Sequence, residues 1–184
     1  MVEFDAFAGG IVIGGLRNML EIKILVCYIL SSVNMPITRN QLCDSLQQTG
    51  LVNYFDANTA IDELLESESV FEKEADGFKY LEVASKGRNS ARELENTLLP
   101  GVRERAVKAA IGIAKRARFE KENNAVINKT ENGYDVVLEI EDAGVKYFTL
   151  TLNVPDILQA EQLRDGFLND PGKIYSTVID SLIN

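Results

Sequence analysis

Apolar side chains recur at three- and four-residue intervals through Ile22, Leu25, Val26, Ile29, Leu30 and Val33, which predicts a helix over Asn18 to Val33 with one buried face. Pro36 ends that run. Thr38 followed three positions later by Gln41 is a capping box, so a short second helix is expected over Arg39 to Gln48, stopping near Gly50, with Leu42 and Leu46 turned inward. Asp56 is expected to cap a third helix whose buried face is Ala57, Ala60, Ile61, Leu64 and Leu65. The period then changes. Val70 to Glu74 and Phe78 to Val83 flank Ala75-Asp76-Gly77, and Asp-Gly between β-branched and aromatic residues predicts a hairpin. Helical spacing resumes over Ser85 to Leu98 through Ala91, Leu94 and Leu98.

Leu99-Pro100-Gly101 interrupts the chain. Beyond it, Val102, Ala106, Ala109, Ala110, Ile113 and Ala117 form one stripe of a long amphipathic helix over residues 102 to 119. Ala125 to Asn128, Tyr134 to Glu141 and Val145 to Val154 read as strands, joined by turns at Asn132-Gly133 and Asp142-Ala143-Gly144. Alternation at Val136, Leu138 and Ile140, and again at Phe148, Leu150, Leu152 and Val154, predicts an antiparallel sheet with one buried face. Two helices are expected to cover it, one starting at Pro155-Asp156 and bearing Ile157, Leu163 and Phe167, the other starting at Pro171 and bearing Ile174, Val178, Ile179 and Leu182. The expected class is α+β. Its parts are an N-terminal extension (1–17), a winged helix-turn-helix domain (18–98), a connecting basic amphipathic helix (99–123) and a C-terminal α+β domain (124–184). The winged-helix reading rests on order alone, three short helices followed by a hairpin, the third helix placed to enter a major groove and the hairpin to act as the wing.

Charge divides the chain more sharply than any linker. Of 184 residues, 28 are acidic and 19 basic, a net charge of -9 that repels phosphate backbones unless the cations are gathered on one face. Seven basic and two acidic residues fall between Gly101 and Lys121, whereas the flanking segments 18–98 and 122–184 are both net acidic. The basic helix from Arg103 to Lys121 is a second candidate surface for nucleic acid or an acidic partner, and the plainer reading, which is preferred, is that it neutralises acidic neighbours within one molecule or across a dimer. There is no His, which removes the imidazole general base and every His-containing zinc site. Nor is there a G-x-S-x-G, a Ser-x-x-Lys or a Walker lysine, since Gly172-Lys173 is followed by Ile174. Gly9-Gly10 and Gly14-Gly15 follow no predicted strand, so a dinucleotide loop is not expected. Glu139, Glu141 and Asp142 are read as a solvated strand end rather than a cation site. The chain is accordingly not expected to be an enzyme or to carry a cofactor or metal. Cys27 and Cys43 have no metal-binding or disulfide spacing, Cys27 falling on a predicted apolar face. With no signal-like or membrane-spanning run, the protein is expected to be soluble and cytoplasmic, with no membrane partner.

The chain also resembles an uncharacterised family, domain of unknown function 4364. The residues that carry the resemblance are Glu21 to Leu30, Met35-Pro36-Ile37-Thr38 with Gln41-Leu42, Asn53-Tyr54-Phe55, Ser85-Lys86-Gly87, Leu99-Pro100 with Arg103-Glu104, Leu152-Asn153-Val154-Pro155, and Ile174-Tyr175. The resemblance implies a bacterial winged-helix protein, of clostridia and their relatives, with a C-terminal α+β domain. It supplies no catalytic residue and no ligand. Winged helices commonly place glycine between the third helix and the wing; here the stretch is Ser67-Glu68-Ser69-Val70.

These readings make the chain a candidate DNA-binding transcriptional regulator, with double-stranded DNA as a partner, a homodimer as its state, and a C-terminal domain that dimerises or senses a small-molecule or protein effector. The DNA-contact candidates are Arg39 and Asn40 at the start of the second helix, Asn58 and Thr59 on the third, Lys73 and Lys79 on the wing, and Lys86 and Arg88 after it. The third helix opposes this reading, because Asp62, Glu63 and Glu66 face outward and no Lys or Arg lies between Asn53 and Phe71. The alternative is a winged-helix protein-interaction module without DNA binding.

Overall fold

The computed structural model describes residues 15, 16, 18–142 and 145–183; the paired glycines at 9, 10 and 14 and the turn residues 143 and 144 lie outside them. The described chain is a mixed α+β protein: α1 (Met19–Ser32), α2 (Arg39–Gln48), α3 (Tyr54–Glu66), β1 (Val70–Ala75), β2 (Phe78–Val83), α4 (Ser85–Leu94) continued by a 3-10 turn (Glu95–Thr97), α5 (Pro100–Glu122), β3 (Asn123–Thr130), β4 (Gly133–Asp142), β5 (Val145–Val154), α6 (Ile157–Asn169) and α7 (Pro171–Ile183). It divides into two compact units, one up to Ala114 and one from Lys115 onward, the division falling within α5. Among the described residues, no helix is long and apolar enough to cross a membrane.

In the first unit, α1 is buried on most sides through Ile22, Ile24, Leu25, Val26, Cys27 and Ile29, as befits a helix surrounded by others. Each such aliphatic side chain contributes about 1.5–3 kcal/mol by leaving water. The capping box of α2 forms as expected: the Thr38 hydroxyl accepts from the Gln41 N–H at 3.3 Å, and Gln41 Oε1 accepts from the Thr38 N–H at 2.8 Å. The third helix begins earlier than expected, because Asn53 rather than Asp56 is its N-cap. Asn53 Oδ1 accepts from the Asp56 N–H at 2.8 Å, while its Nδ2 donates to the Asp56 carboxylate at 2.7 Å. An Asn that bonds both groups of the third helical residue outcompetes an Asp that can serve only as acceptor.

The end of α3 accounts for the missing glycine. The Glu68 N–H donates to Leu65 O at 3.0 Å and the Ser69 N–H to Leu64 O at 2.9 Å, the paired bonds of a Schellman motif. Glu68 sits in the left-handed region that this motif requires, at φ 56°. The chain turns as a glycine would, with a side chain bearing the strain. From there β1 and β2 pair antiparallel from Val70↔Val83 to Ala75↔Phe78, closed by Asp76 (φ 53°) and Gly77 (φ 77°), whose two positive angles match a type I′ hairpin turn. Before α2, the chain joins this hairpin: the Leu81 N–H donates to Ile37 O at 2.9 Å, and Thr38 bridges Tyr80 antiparallel. Helix α4 buries Gly87 and Ala91, and α5 buries Val102, Ala106, Ala110 and Ala114, a four-residue row of small side chains that lets helices approach closely.

In the second unit, β3, β4 and β5 form an antiparallel sheet in that order. Val136, Leu138 and Ile140 point to one face, where Ala160, Phe167 and Leu168 of α6 complete the core. Helix α7 adds Ile174 and Tyr175 to the same cluster. Asp156 caps α6 by accepting from the Gln159 N–H at 2.9 Å, and Arg116 ties α6 down through Asp165 (2.9 Å) and Asn169 (3.1 Å). Glu139 faces the other way. Lys146 (2.8 and 2.9 Å) and Asn124 (2.7 Å) donate to its carboxylate and hold the carboxyl below the usual carboxylate range.

Candidate functional site

The surface built by α2, α3 and the hairpin holds most of the candidate DNA contacts, and its geometry follows from the two caps described above. Because α3 starts at Tyr54, its first two turns carry Tyr54, Phe55, Asn58 and Thr59. Phe55 is 81% exposed, an unusual position for a phenyl ring. Asn58 Nδ2 donates to Tyr54 O at 2.9 Å, leaving its carbonyl oxygen as acceptor, and the Thr59 hydroxyl donates to Phe55 O at 3.0 Å.

Arg39 reaches across from the first turn of α2. Its guanidinium donates to Asn58 O at 3.1 Å and forms an ion pair with Asp62. Lys23 of α1 pairs with Glu63 in the same way. Two of the acids that oppose nucleic acid on α3 are therefore neutralised by cations from neighbouring helices, which sequence spacing cannot reveal. Glu66, exposed at the far end, has no such partner among the described residues.

The hairpin is different. Lys73 pairs with Glu82 at 2.9 Å and Lys79 with Glu72 at 3.2 Å, each across the two strands. With Glu74 and Asp76 added, its carboxylates outnumber its ammonium groups. Lys86, at the start of α4, donates to Ser67 O at 2.9 Å and so satisfies a carbonyl at the end of α3. Asn40 and Arg88 are exposed, and neither they nor Arg92 has an ion-pair partner among the described residues. Arg88 borders a cleft at the hairpin base with Met35, Ile37 and Tyr80. The structure thus gathers Arg39, Asn58 and Thr59 on one surface, closes Lys73 and Lys79 within the hairpin, and gives Lys86 a capping role. Asn53-Tyr54-Phe55 enters the sequence reading only among the residues that carry the family resemblance, ahead of a helix expected to be capped at Asp56, so Phe55 is not expected there as a surface residue of α3.

Neither cysteine offers chemistry. Both are buried, and burial pushes each thiol up to about 11. Among the described residues no cluster of His, Cys, Asp and Glu could hold a metal ion.

An α+β chain of this organisation matches the family described as Domain of unknown function (DUF4364) over residues 22–182. The protein belongs to that family. No curated protein and no solved structure shows significant similarity to it.

Proposed function

We propose that residues 18–98 form a winged helix-turn-helix that binds double-stranded DNA, and that the chain acts in the cytoplasm as a homodimeric transcriptional regulator whose C-terminal unit dimerises or senses an effector. The supporting observation is the join between Ile37-Thr38 and Tyr80-Leu81, which ties the hairpin to the N-cap of α2. In that arrangement a third helix can enter the major groove while the hairpin lies over the adjoining backbone. The first turns of α3 are then the reading surface: Phe55 suits a thymine methyl group and Asn58 an adenine edge, with Thr59 beside them. Arg39 keeps Asp62 from repelling phosphate. Asn40, Lys86, Arg88 and Arg92 supply backbone contacts.

The test is fluorescence anisotropy with a randomised duplex pool at ~50 and ~200 mM salt. Three cations per protomer, six per dimer, give a loss of about 10³-fold between the two. Arg88→Gln with Arg92→Gln should flatten that slope, and Asn58→Ala should change the enriched sequence without changing the slope. Absence of binding at ~50 mM salt overturns the reading.

One observation favours a second reading, an interaction module without DNA. Both hairpin lysines are spent on carboxylates, so the wing carries net negative charge toward any phosphate. A partner protein retained by the wild type and lost on Phe55→Ala, with no DNA binding, would select it.

A further inference from the structure

The β4–β5 ladder contains one irregularity, and it adjoins a cleft. Ile140 pairs with Phe148, but the next residue, Glu141, pairs with Lys146, leaving Tyr147 as the extra residue of a β-bulge. Bulges re-aim a side chain. Here the Tyr147 ring meets the Tyr175 ring edge-on, with centroids 5.8 Å apart and planes at 89°. Both tyrosines border a cleft of about 500 Å³, together with Phe119, Ile140, Arg118, Glu122 and Glu141. That volume suits a small metabolite.

The chemistry of the lining selects the ligand's charge. Among the described residues that line the cleft Arg118 is the one cation, and its Nε already donates to Glu122 at 2.7 Å. The start of α7 also borders the cleft, but there the Lys173 N–H is taken by the Asp170 carboxylate at 3.0 Å. Two of the donors an anion would use, Arg118 Nε and the Lys173 N–H, are thus engaged. Glu141 pairs with Lys146 across the ladder, and the Lys146 ammonium donates to Glu139; two tyrosine rings at right angles, with Phe119 nearby, are what a desolvated cation is attracted to. We propose that this cleft binds a small organic ammonium ion, held by the faces of Tyr147 and Tyr175 and by the carboxylate of Glu141. The assignment is independent of DNA binding by the first unit.

The test uses the full chain and choline as the probe, with 3,3-dimethyl-1-butanol as its uncharged isostere and benzoate as an anion. Choline is expected to give saturable shifts of the Tyr147 and Tyr175 ring resonances, and neither control should do so. Tyr147→Ala should weaken choline about tenfold and Glu141→Gln about threefold, whereas Tyr147→Phe, which keeps a ring, should bind within about twofold of wild type. Phosphatidylcholine vesicles, which present the same headgroup on a membrane, should not pellet the protein. No saturable shift with choline up to ~100 mM, equal binding of the isostere, or preference for benzoate would overturn the proposal. Pelleting with vesicles would overturn its assignment to a free small molecule.

Discussion

Replacing Gly87 by Ala tests whether α4 is seated as closely as the structure requires. A Cβ at Gly87 would lie 2.3 Å from the carbonyl oxygen of Ser69, with Val83 Cγ2 at 3.1 Å and Cys27 Sγ at 3.2 Å. A relaxed carbon–oxygen contact is ~3.3 Å or more, so helix and carbonyl must separate by about 1 Å. That carbonyl accepts the Ala84 N–H at 3.0 Å, a bond the shift would stretch. Overpacking costs about 1–3 kcal/mol and the lost hydrogen bond about 1, against a gain of about 1 from alanine's helix propensity. The net expectation is a loss of about 1–3 kcal/mol, near 1 M in urea midpoint at a slope of about 2 kcal/mol/M. Gly112, exposed in α5 with nothing within 4 Å of its notional Cβ, is the control. Gly112→Ala should raise stability by up to about 1 kcal/mol. Urea titrations followed by far-UV circular dichroism measure both, and a Gly87→Ala midpoint at or above wild type would refute the packing argument.

Glu68→Gly should stabilise the first unit by about 0.5–1 kcal/mol in the same titration, since glycine adopts φ 56° without the strain borne by Glu. A double-mutant cycle on Arg39→Met and Asp62→Asn should give a coupling of about 0.5–1 kcal/mol, weakened by salt, as befits a partly exposed pair. The thiols should resist iodoacetamide at pH 8 in the native protein and react on unfolding, read by mass spectrometry. Because folding raises both thiols from 9.0 to about 11, the unfolded state ionises first, so their stabilising contribution is complete below pH 9 and lost as pH rises toward 11.

Much of the fold was legible because periodicity and caps are local. The capping box at Thr38, the Asp-Gly turn and the strand Val145–Val154 occur where the residues place them. The start of α3 was misread because choosing between Asn53 and Asp56 depends on a bond between their side chains. The buried row of α5 is Val102, Ala106, Ala110 and Ala114, while Ala109, Ile113 and Ala117 are only partly covered; which edge of an alanine-rich stripe faces inward is decided by the neighbours. The candidate site was legible as a list of charged positions, not as a charge distribution. Arg39 and Asp62 lie 23 positions apart, and only folding brings them together. The cleft in the second unit has a faint sequence signal, since apolar positions run Val145, Tyr147 and then Phe148, Leu150, Leu152 and Val154, a break in phase at the extra residue that one strand read by itself does not assign to a bulge.

That extra residue splits β5 into two phases. From Phe148 to Val154 the strand stays anchored by side chains packed on α6 and by unbroken pairing with β4. Ahead of it, adding or removing a single residue would rotate a different side chain into the cleft wall without moving the anchored stretch. Changes in chain length, rather than substitutions, are therefore the economical way for related sequences to retune what this cleft accepts, and comparisons aligned without gaps at this strand would overlook them.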